Sequence, residues 1–234
     1  MIRLVTGASW VNIEAILDHE VSDTTLRERR DEWIRAGVFD RLETEVRAAY
    51  DRIIGIDLSE VALDGSIHKA PCGGDGTGPN PTDRAKLGWK WSVAVDAKGV
   101  PLGWVTDGAN RNDSILLEPT LEAVRVNGYL AEIETLHLDR GYDSKVTRER
   151  TAAVGLTDVM IQPRRVPGSG EAKQSMRLGL RWVVEATNSW WSSYGQLRRN
   201  TDRFKHHRYT ALSLATVILM AGRLIDYHNR WNPK

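Results

Sequence analysis

The order of short apolar runs and amphipathic segments after residue 53 limits the folds that this chain can adopt. Compact apolar runs at residues 53–56 and 61–63 are typical of buried strands. Residues 89–96 and 101–106 flank a four-residue turn and predict a β-hairpin. The first part of this region is therefore expected to form a meander of strands.

The second part of the pattern adds two strands that alternate with helices. The segments are, in order, a helix at 114–127, a strand at 135–138, a helix starting near Ser144, a strand at 159–162 and two long helices at about 177–199 and 210–228. A three-strand meander followed by helix, strand, helix, strand and helix is the layout of an RNase H-like α/β domain. We therefore predict a mixed sheet flanked by helices over residues 53–234.

Residues 1–52 predict a small helical region that precedes this domain. Ser9 and Ser22 are suitable N-caps, because each stands before a segment with apolar residues at helical spacing. Two short helices joined by a turn could form a partial helix-turn-helix. Its groove-facing residues would then be Thr24, Thr25, Arg27, Arg29 and Arg30. A plain helical hairpin that packs on the main domain explains the pattern equally well.

The composition indicates an intracellular globular protein. Hydrophobic residues make up 41% of the chain and charged residues 27%, so a sizeable core is possible. The single cysteine, Cys72, excludes an internal disulfide framework and fits a reducing cytosol. The longest apolar stretch, residues 215–221, is shorter than the roughly 20 residues of a membrane-spanning helix. We expect a cytoplasmic, nucleoid-associated protein that does not bind a membrane.

The formal net charge of +1 conceals an uneven charge distribution. Residues 160–234 contain 13 Lys and Arg against 4 Asp and Glu, so the rest of the chain is acidic. A basic region of this kind favours a polyanionic partner, although lysines and arginines can also simply solvate a helical surface.

Three carboxylates stand where the predicted layout would bring them together. Asp64 follows the apolar run 61–63, Asp139 follows the strand 135–138, and Glu185 follows two valines in a predicted helix. Each has a simpler explanation: Asp64 precedes Gly65 and could be a turn residue, Asp139 could cap the next turn, and Glu185 could pair with Arg181.

The chemistry of a shared metal site accounts for all three residues at once. Carboxylates at the ends of adjacent buried strands repel each other unless a cation lies between them. Hard divalent cations prefer oxygen ligands, and two such ions about 3.5–4 Å apart suit an in-line phosphoryl transfer.

Several sequence blocks resemble the DDE transposases of bacterial insertion sequences. Residues 63–70, 138–144 and 181–185 are similar to the three catalytic blocks of the insertion-sequence-four and insertion-sequence-five groups. Residues 97–103 and 108–114 look like the hairpin and loop after the first block. The blocks follow one another in the family's order.

The resemblance implies an RNase H-like fold in which Asp64, Asp139 and Glu185 hold two Mg²⁺ (or Mn²⁺) ions. It implies metal-dependent cleavage of double-stranded DNA at the inverted-repeat ends of an element, followed by strand transfer into target DNA. Arg181 matches an arginine that would contact a phosphate. A homodimer is expected, since two element ends must be joined. Lys69, Arg198 and Arg199 are further candidate DNA contacts, because they lie beside the proposed site or in the basic region.

The sequence departs from the insertion-sequence-four pattern near the third block. Leu178 and Ser192 stand where that pattern has a tyrosine and a lysine, which favours the insertion-sequence-five group. The segment that starts at Arg3 resembles one that normally follows some tens of residues. We therefore expect a truncated copy or the second product of a two-frame element.

Two other functions are compatible with the same residues. A catalytically silent DNA-binding remnant of a transposase would bind element ends without cutting them. Another RNase H-like nuclease would cut branched DNA without joining it, but the match over successive blocks argues against this alternative.

Overall fold

The computed structural model of this chain describes residues 1–162 and 181–231. Over these residues the chain forms one mixed sheet of six strands. The strands are β1 (Glu60–Lys69), β2 (Gly78–Pro79), β3 (Leu87–Val95), β4 (Pro101–Gly108), β5 (Thr135–Leu138) and β6 (Val159–Ile161).

The order of strands across the sheet is β4, β3, β1, β5, β6, with the short β2 beside the start of β3. Strands β1, β3 and β4 pair in an antiparallel meander, whereas β5 runs parallel to β1 and β6 runs parallel to β5. This mixed sheet confirms the predicted RNase H-like layout.

Helices cover both faces of the sheet and form the N-terminal region. The helices in the described ranges are α1 (Ile2–Thr6), α2 (Trp10–Ile16), α3 (Asp23–Arg35), α4 (Val38–Ile53), α5 (Asp113–Val126), α6 (Lys145–Ala153), α7 (Arg181–Ser193), α8 (Gly195–Arg198) and α9 (Lys205–Trp231). Ser9 and Ser22 cap α2 and α3 as expected, because their side chains accept hydrogen bonds from the amides of Asn12 and Thr25.

The alternation of side chains along β1 divides the core into two layers. Val61 and Leu63 pack in the layer that contains α5, together with Leu136 and Leu138 of β5. Ala62 packs in the opposite layer, which contains α7 and α9. Because successive strand residues point to opposite faces, Asp64 lies on the α7 side of the sheet.

Contacts between tryptophan rings pack α7 against its face of the sheet. Trp191 of α7 is fully buried and makes edge contacts with Trp91 and Trp104, at ring-centroid distances of 5.6 and 5.5 Å. Aromatic pairs of this geometry contribute about 0.5–1.5 kcal/mol each beyond their buried area. Packing, rather than a loop, therefore sets the position of α7.

The apolar run 53–56 was expected to be a strand, and this prediction is wrong. Helix α4 continues to Ile53, because its amphipathic stripe packs along α9, where Tyr50 and Met220 share a core cluster. The strand at 61–63 is longer than expected, because pairing with β3 extends β1 to Lys69.

The predicted helix at 177–199 is interrupted after Ser193, and its first residues, 177–180, lie outside the described residues, as does the predicted linker at 164–170. A close backbone contact lies just after the interruption. A Cβ at Gly195 would lie 2.5 Å from the carbonyl carbon of Thr6, so the backbones of α1 and α8 touch there.

Helix α9 starts five residues before its predicted start at 210. Within the described ranges it is the one helix that is long and apolar enough to cross a membrane. Its residues Ala211, Leu212 and Ala215 lie in the core against the sheet. The first half of α9 therefore packs on the sheet, whereas residues 225–231 are exposed.

The N-terminal helices are joined to the C-terminal half through Asp202. Arg3 donates to Asp202 at 2.8 Å and Arg30 at 3.3 Å, and both guanidinium groups lie over the ring of Trp10. Arg30 also pairs with Asp31 at 2.8 Å. Arg30, one of the residues expected to face a groove, therefore points into the protein.

We predict that Gly195→Ala lowers the free energy of unfolding by about 1–3 kcal/mol, because the new methyl group overlaps backbone atoms that cannot rotate away. Chemical denaturation measures the change. Gly222→Ala is the matched control, since a Cβ at this helical glycine meets nothing within 4 Å and should stabilise the protein by about 0.5–1 kcal/mol. Equal stability of both variants would contradict the proposed contact.

Candidate active site

The parallel register of β1 and β5 brings Asp64 and Asp139 side by side. Leu63 is paired with Leu138, and in each case the next residue along the chain is an aspartate. Neighbouring strands lie about 4.8 Å apart. Leu63 and Leu138 both point into the α5 layer, so the two aspartates both point to the α7 side. The structure thus places the first two predicted site residues next to each other.

The pKa of the buried Tyr142 is affected by these same carboxylates. Its side chain is 2% exposed and lies in a 3₁₀ turn directly after Asp139. Burial, together with the negative charges of Asp113, Asp64 and Asp139, raises the pKa of Tyr142 well above 10. Three carboxylates therefore act on one phenol, and Asp113 was not among the predicted site residues.

Glu185 lies on the exposed side of α7, the helix that covers the face of Asp64 and Asp139. Its neighbours fix this helix to the sheet: the Nε1 of Trp91 donates to Asn188 at 2.8 Å, and Thr187 donates to the carbonyl of Gly99 at 2.8 Å. Asn188 follows Glu185 by three residues and is on nearly the same side of the helix. The position of Glu185 therefore depends on hydrogen bonds to β3 and to the turn after it.

The described residues contain no group of three or more His, Cys, Asp or Glu side chains close enough to hold a metal ion. The structure thus brings Asp64 and Asp139 together but does not bring Glu185 into one compact cluster with them. The donor chemistry still suits a hard divalent ion, since these side chains offer only carboxylate oxygens.

Three predicted DNA-contacting residues come together at the end of β1. Lys69 forms a parallel β-bridge with Arg199, and the amide of Asn200 donates to the carbonyl of Lys69 at 2.9 Å. The side chains of Lys69, Arg198 and Arg199 are exposed. Arg181 is the first residue of α7, and its side chain lies outside the described part of the chain.

Two histidines beside the site are buried. His68 stacks on Trp91 at 3.7 Å and its Nε2 lies 2.8 Å from the hydroxyl of Ser66. Burial lowers the pKa of His68 to about 3, so it is neutral at physiological pH. His137 is also buried, with its Nε2 3.4 Å from a carboxylate oxygen of Glu60. His68 is therefore not suited to bind a phosphate by charge.

Sequence reasoning missed an ion pair between a buried lysine and a partly exposed aspartate on the other face of the sheet. Lys90 is 3% exposed and its Nζ donates to Asp113 at 2.8 Å. A lysine flanked by two tryptophans in a predicted strand was the available signal, since a buried lysine requires a partner.

Comparisons with a family profile and with a curated relative both indicate a transposase. A family profile described as a transposase DDE domain matches residues 56–220. A putative transposase for insertion sequence element IS402 from Burkholderia cepacia is 38% identical over 132 residues, which are 54% of this chain and 60% of that protein. The match therefore spans less than two thirds of the relative's length.

Solved structures of Mos1 transposase complexes show only a distant similarity. A paired-end complex with the left transposon end covers 91% of this chain and 74% of its own, at 10% identity and a TM-score of 0.31. A paired-end complex with Mn gives the same values. A similarity at this level carries no weight for fold or function.

We predict that His68 makes the stability of the protein depend on pH. Unfolding restores its ordinary pKa of about 6.5, so the unfolded state binds a proton that the folded state rejects. The contribution is fully present above pH 6.5 and falls by about 1.4 kcal/mol per pH unit from there towards pH 3. Urea unfolding at several pH values should show a smaller slope in His68→Gln. His19→Gln, at an exposed histidine, should keep the slope of the unmodified protein.

Proposed function

The chain belongs to the DDE transposase family, and we propose that it cuts DNA at the inverted-repeat ends of an insertion sequence and joins them to target DNA. The proposal rests on one observation: the paired residues Leu63 and Leu138 are followed by Asp64 and Asp139 on the face that α7 covers. The family match includes both aspartates and Glu185.

In this proposal Asp64, Asp139 and Glu185 hold two Mg²⁺ ions, which Mn²⁺ can replace. The fit is that of adjacent carboxylates whose mutual repulsion a cation would relieve. Bound ions would supply Lewis-acid chemistry to the attacking and leaving oxygens of an in-line displacement. Glu185 completes the ligand set from α7, whose contacts with Trp91 and Gly99 hold it over the sheet.

The reaction consists of two phosphoryl transfers. In the first, water attacks a phosphodiester at the element end, the bond between phosphorus and the 3′-oxygen breaks, and a free 3′-hydroxyl and a 5′-phosphate result. In the second, this 3′-hydroxyl attacks a phosphodiester of the target, and the bond that breaks releases a target 3′-hydroxyl. The carboxylates of the chain orient the reactants, which is the main protein contribution to such transfers.

The basic surface next to the site would hold the DNA backbone. Lys69 and Arg199 are adjacent through a β-bridge, and Arg198 is exposed beside them. Phosphate contacts of this kind position a duplex without reading its sequence. Arg181 would add a phosphate contact at the start of the helix that carries Glu185.

We further propose that two copies act together as a homodimer, since two element ends must be joined in one reaction. Residues 1–52 would be a helical region separate in role from the catalytic domain at 53–234. The protein would act in the bacterial cytoplasm at the nucleoid, without a membrane, and would belong to the insertion-sequence-five group.

A catalytically silent DNA-binding remnant is the second candidate function. It is favoured by one observation: Glu185 does not share a compact ligand cluster with the two aspartates in the described residues. Metal-dependent nicking of a duplex that carries the element ends distinguishes the two, because the remnant would bind this DNA and never cut it.

We predict that Asp64→Asn, Asp139→Asn or Glu185→Gln lowers the rate of DNA cleavage at least about a thousandfold. Each substitution removes a charged ligand of the proposed divalent ions. DNA affinity measured without metal should stay within about threefold, a range well under 1.4 kcal/mol. Glu118→Gln, at an exposed glutamate of α5, is the control and should cut at the normal rate. Cleavage at the normal rate by any of the three variants would remove that residue from the proposed site.

We also predict that Lys69→Ala, Arg198→Ala and Arg199→Ala each weaken DNA binding to a similar extent for all sequences. Each should reduce the slope of log K against log salt by about one, because one phosphate contact is lost. Arg125→Ala, at an exposed arginine of α5, is the matched control with no expected effect. A defect confined to one DNA sequence would show that these residues read bases instead.

A further inference from the structure

A polar cluster interrupts the apolar layer on the α5 face, directly behind the two aspartates. Lys90 of β3 donates its Nζ to the carboxylate of Asp113 at 2.8 Å and to the carbonyl of Arg111 at 2.9 Å. Burial of an ammonium group is costly unless its partners are held in good geometry. The charge of Lys90 therefore depends on Asp113 and on the carbonyl of Arg111. The cluster calls for an explanation other than packing.

The Asp113 carboxylate lies against the backbone of β1 at Gly65. A Cβ added at Gly65 would overlap the Oδ1 of Asp113, so the carboxylate occupies the space of the missing side chain. The backbone of Gly65 is in ordinary strand pairing with Ser92 and does not have a positive φ. Glycine is unfavourable inside a strand and is found there where another group approaches closely. Gly65 therefore serves to admit Asp113, and the residue before it is Asp64.

The second aspartate borders the same cluster through Tyr142. The amide of Tyr142 donates to the carbonyl of Asp139 at 2.9 Å, and its ring is buried in the α5 layer. The negative charges of Asp113, Asp64 and Asp139 all act on its hydroxyl and raise its pKa. The polar cluster thus adjoins the backbone beside both aspartates, on the face of the sheet opposite to their carboxylates.

We propose that Asp113, anchored by Lys90, is a positioning residue that holds Asp64 and Asp139 at the spacing a divalent metal needs. It acts through Gly65 on β1, next to Asp64, and through Tyr142 on Asp139, which directly follows β5. The inference rests on the proposed function, because it assumes that the two aspartates are metal ligands. Asp113 itself does not touch the metal or the DNA.

The test is Mn²⁺ binding to the full chain without DNA, followed by electron paramagnetic resonance. We expect Asp113→Ala and Lys90→Met each to raise the dissociation constant for Mn²⁺ about tenfold, the usual scale for residues that orient metal ligands. Asp113→Asn keeps the volume and an oxygen for Lys90, so it should bind Mn²⁺ within about threefold of the unmodified protein. Lys86→Met, at an exposed lysine of a surface ion pair, is the control and should leave the constant unchanged.

A double variant separates positioning from stability. Lys90→Met with Asp113→Leu removes the buried ammonium group together with its partly exposed partner, so the thermal unfolding midpoint should recover to about that of the unmodified protein. Its Mn²⁺ affinity should remain reduced, because leucine at position 113 cannot reproduce the contact of the Asp113 carboxylate with Gly65. Recovery of Mn²⁺ affinity in this double variant, or an Asp113→Asn variant as weak as Asp113→Ala, would overturn the proposal. Absence of Mn²⁺ binding to the unmodified protein would instead overturn the proposed metal site.

Discussion

The parallel pairing of β1 with β5 is the constraint around which the molecule is arranged. With Leu63 opposite Leu138, the next residue of each strand is an aspartate, and both carboxylates leave the sheet on one face. Two like charges at this spacing repel each other, and their backbone positions are fixed by sheet hydrogen bonds rather than by choice of rotamer. The fold therefore fixes Asp64 and Asp139 at neighbouring positions on one face of the sheet.

The two faces of the sheet make different contributions to this arrangement. On one face, Trp91, Trp104 and Trp191 pack α7 against the sheet, where it contacts β1 and β3, and the helix carries Glu185 on its exposed side. On the other face, the ion pair of Lys90 and Asp113 lies against the backbone of β1, in the space that a side chain at position 65 would occupy. The carboxylates are thus held between an aromatic layer and a polar cluster. The basic surface of Lys69, Arg198 and Arg199 lies at the far end of β1, where a DNA backbone can reach it.

Much of the fold and part of the site follow from local patterns. The β-hairpin of β3 and β4, the strand β5 and the caps Ser9 and Ser22 agree with the sequence, because turn chemistry, alternation and capping act over a few residues. Residues 53–56 were misread, because a short apolar run fits a buried helix end as well as a strand. Lys90, Asp113 and Gly65 were missed as a group, since they come from three elements and meet only when the sheet forms.

The sequence by itself determined the order of elements, the family and the candidate aspartates, because these depend on residue type and spacing along the chain. The structure places Asp64 inside β1 instead of at its expected end. Only the tertiary structure decided which strands are neighbours and in what register, since a shift by one residue would turn every side chain to the other face. It also decided that α7 stops at Ser193, where the backbones of Gly195 and Thr6 come together, and that Asp113 lies behind Asp64. Contacts between residues distant in the chain depend on packing, which no local pattern encodes.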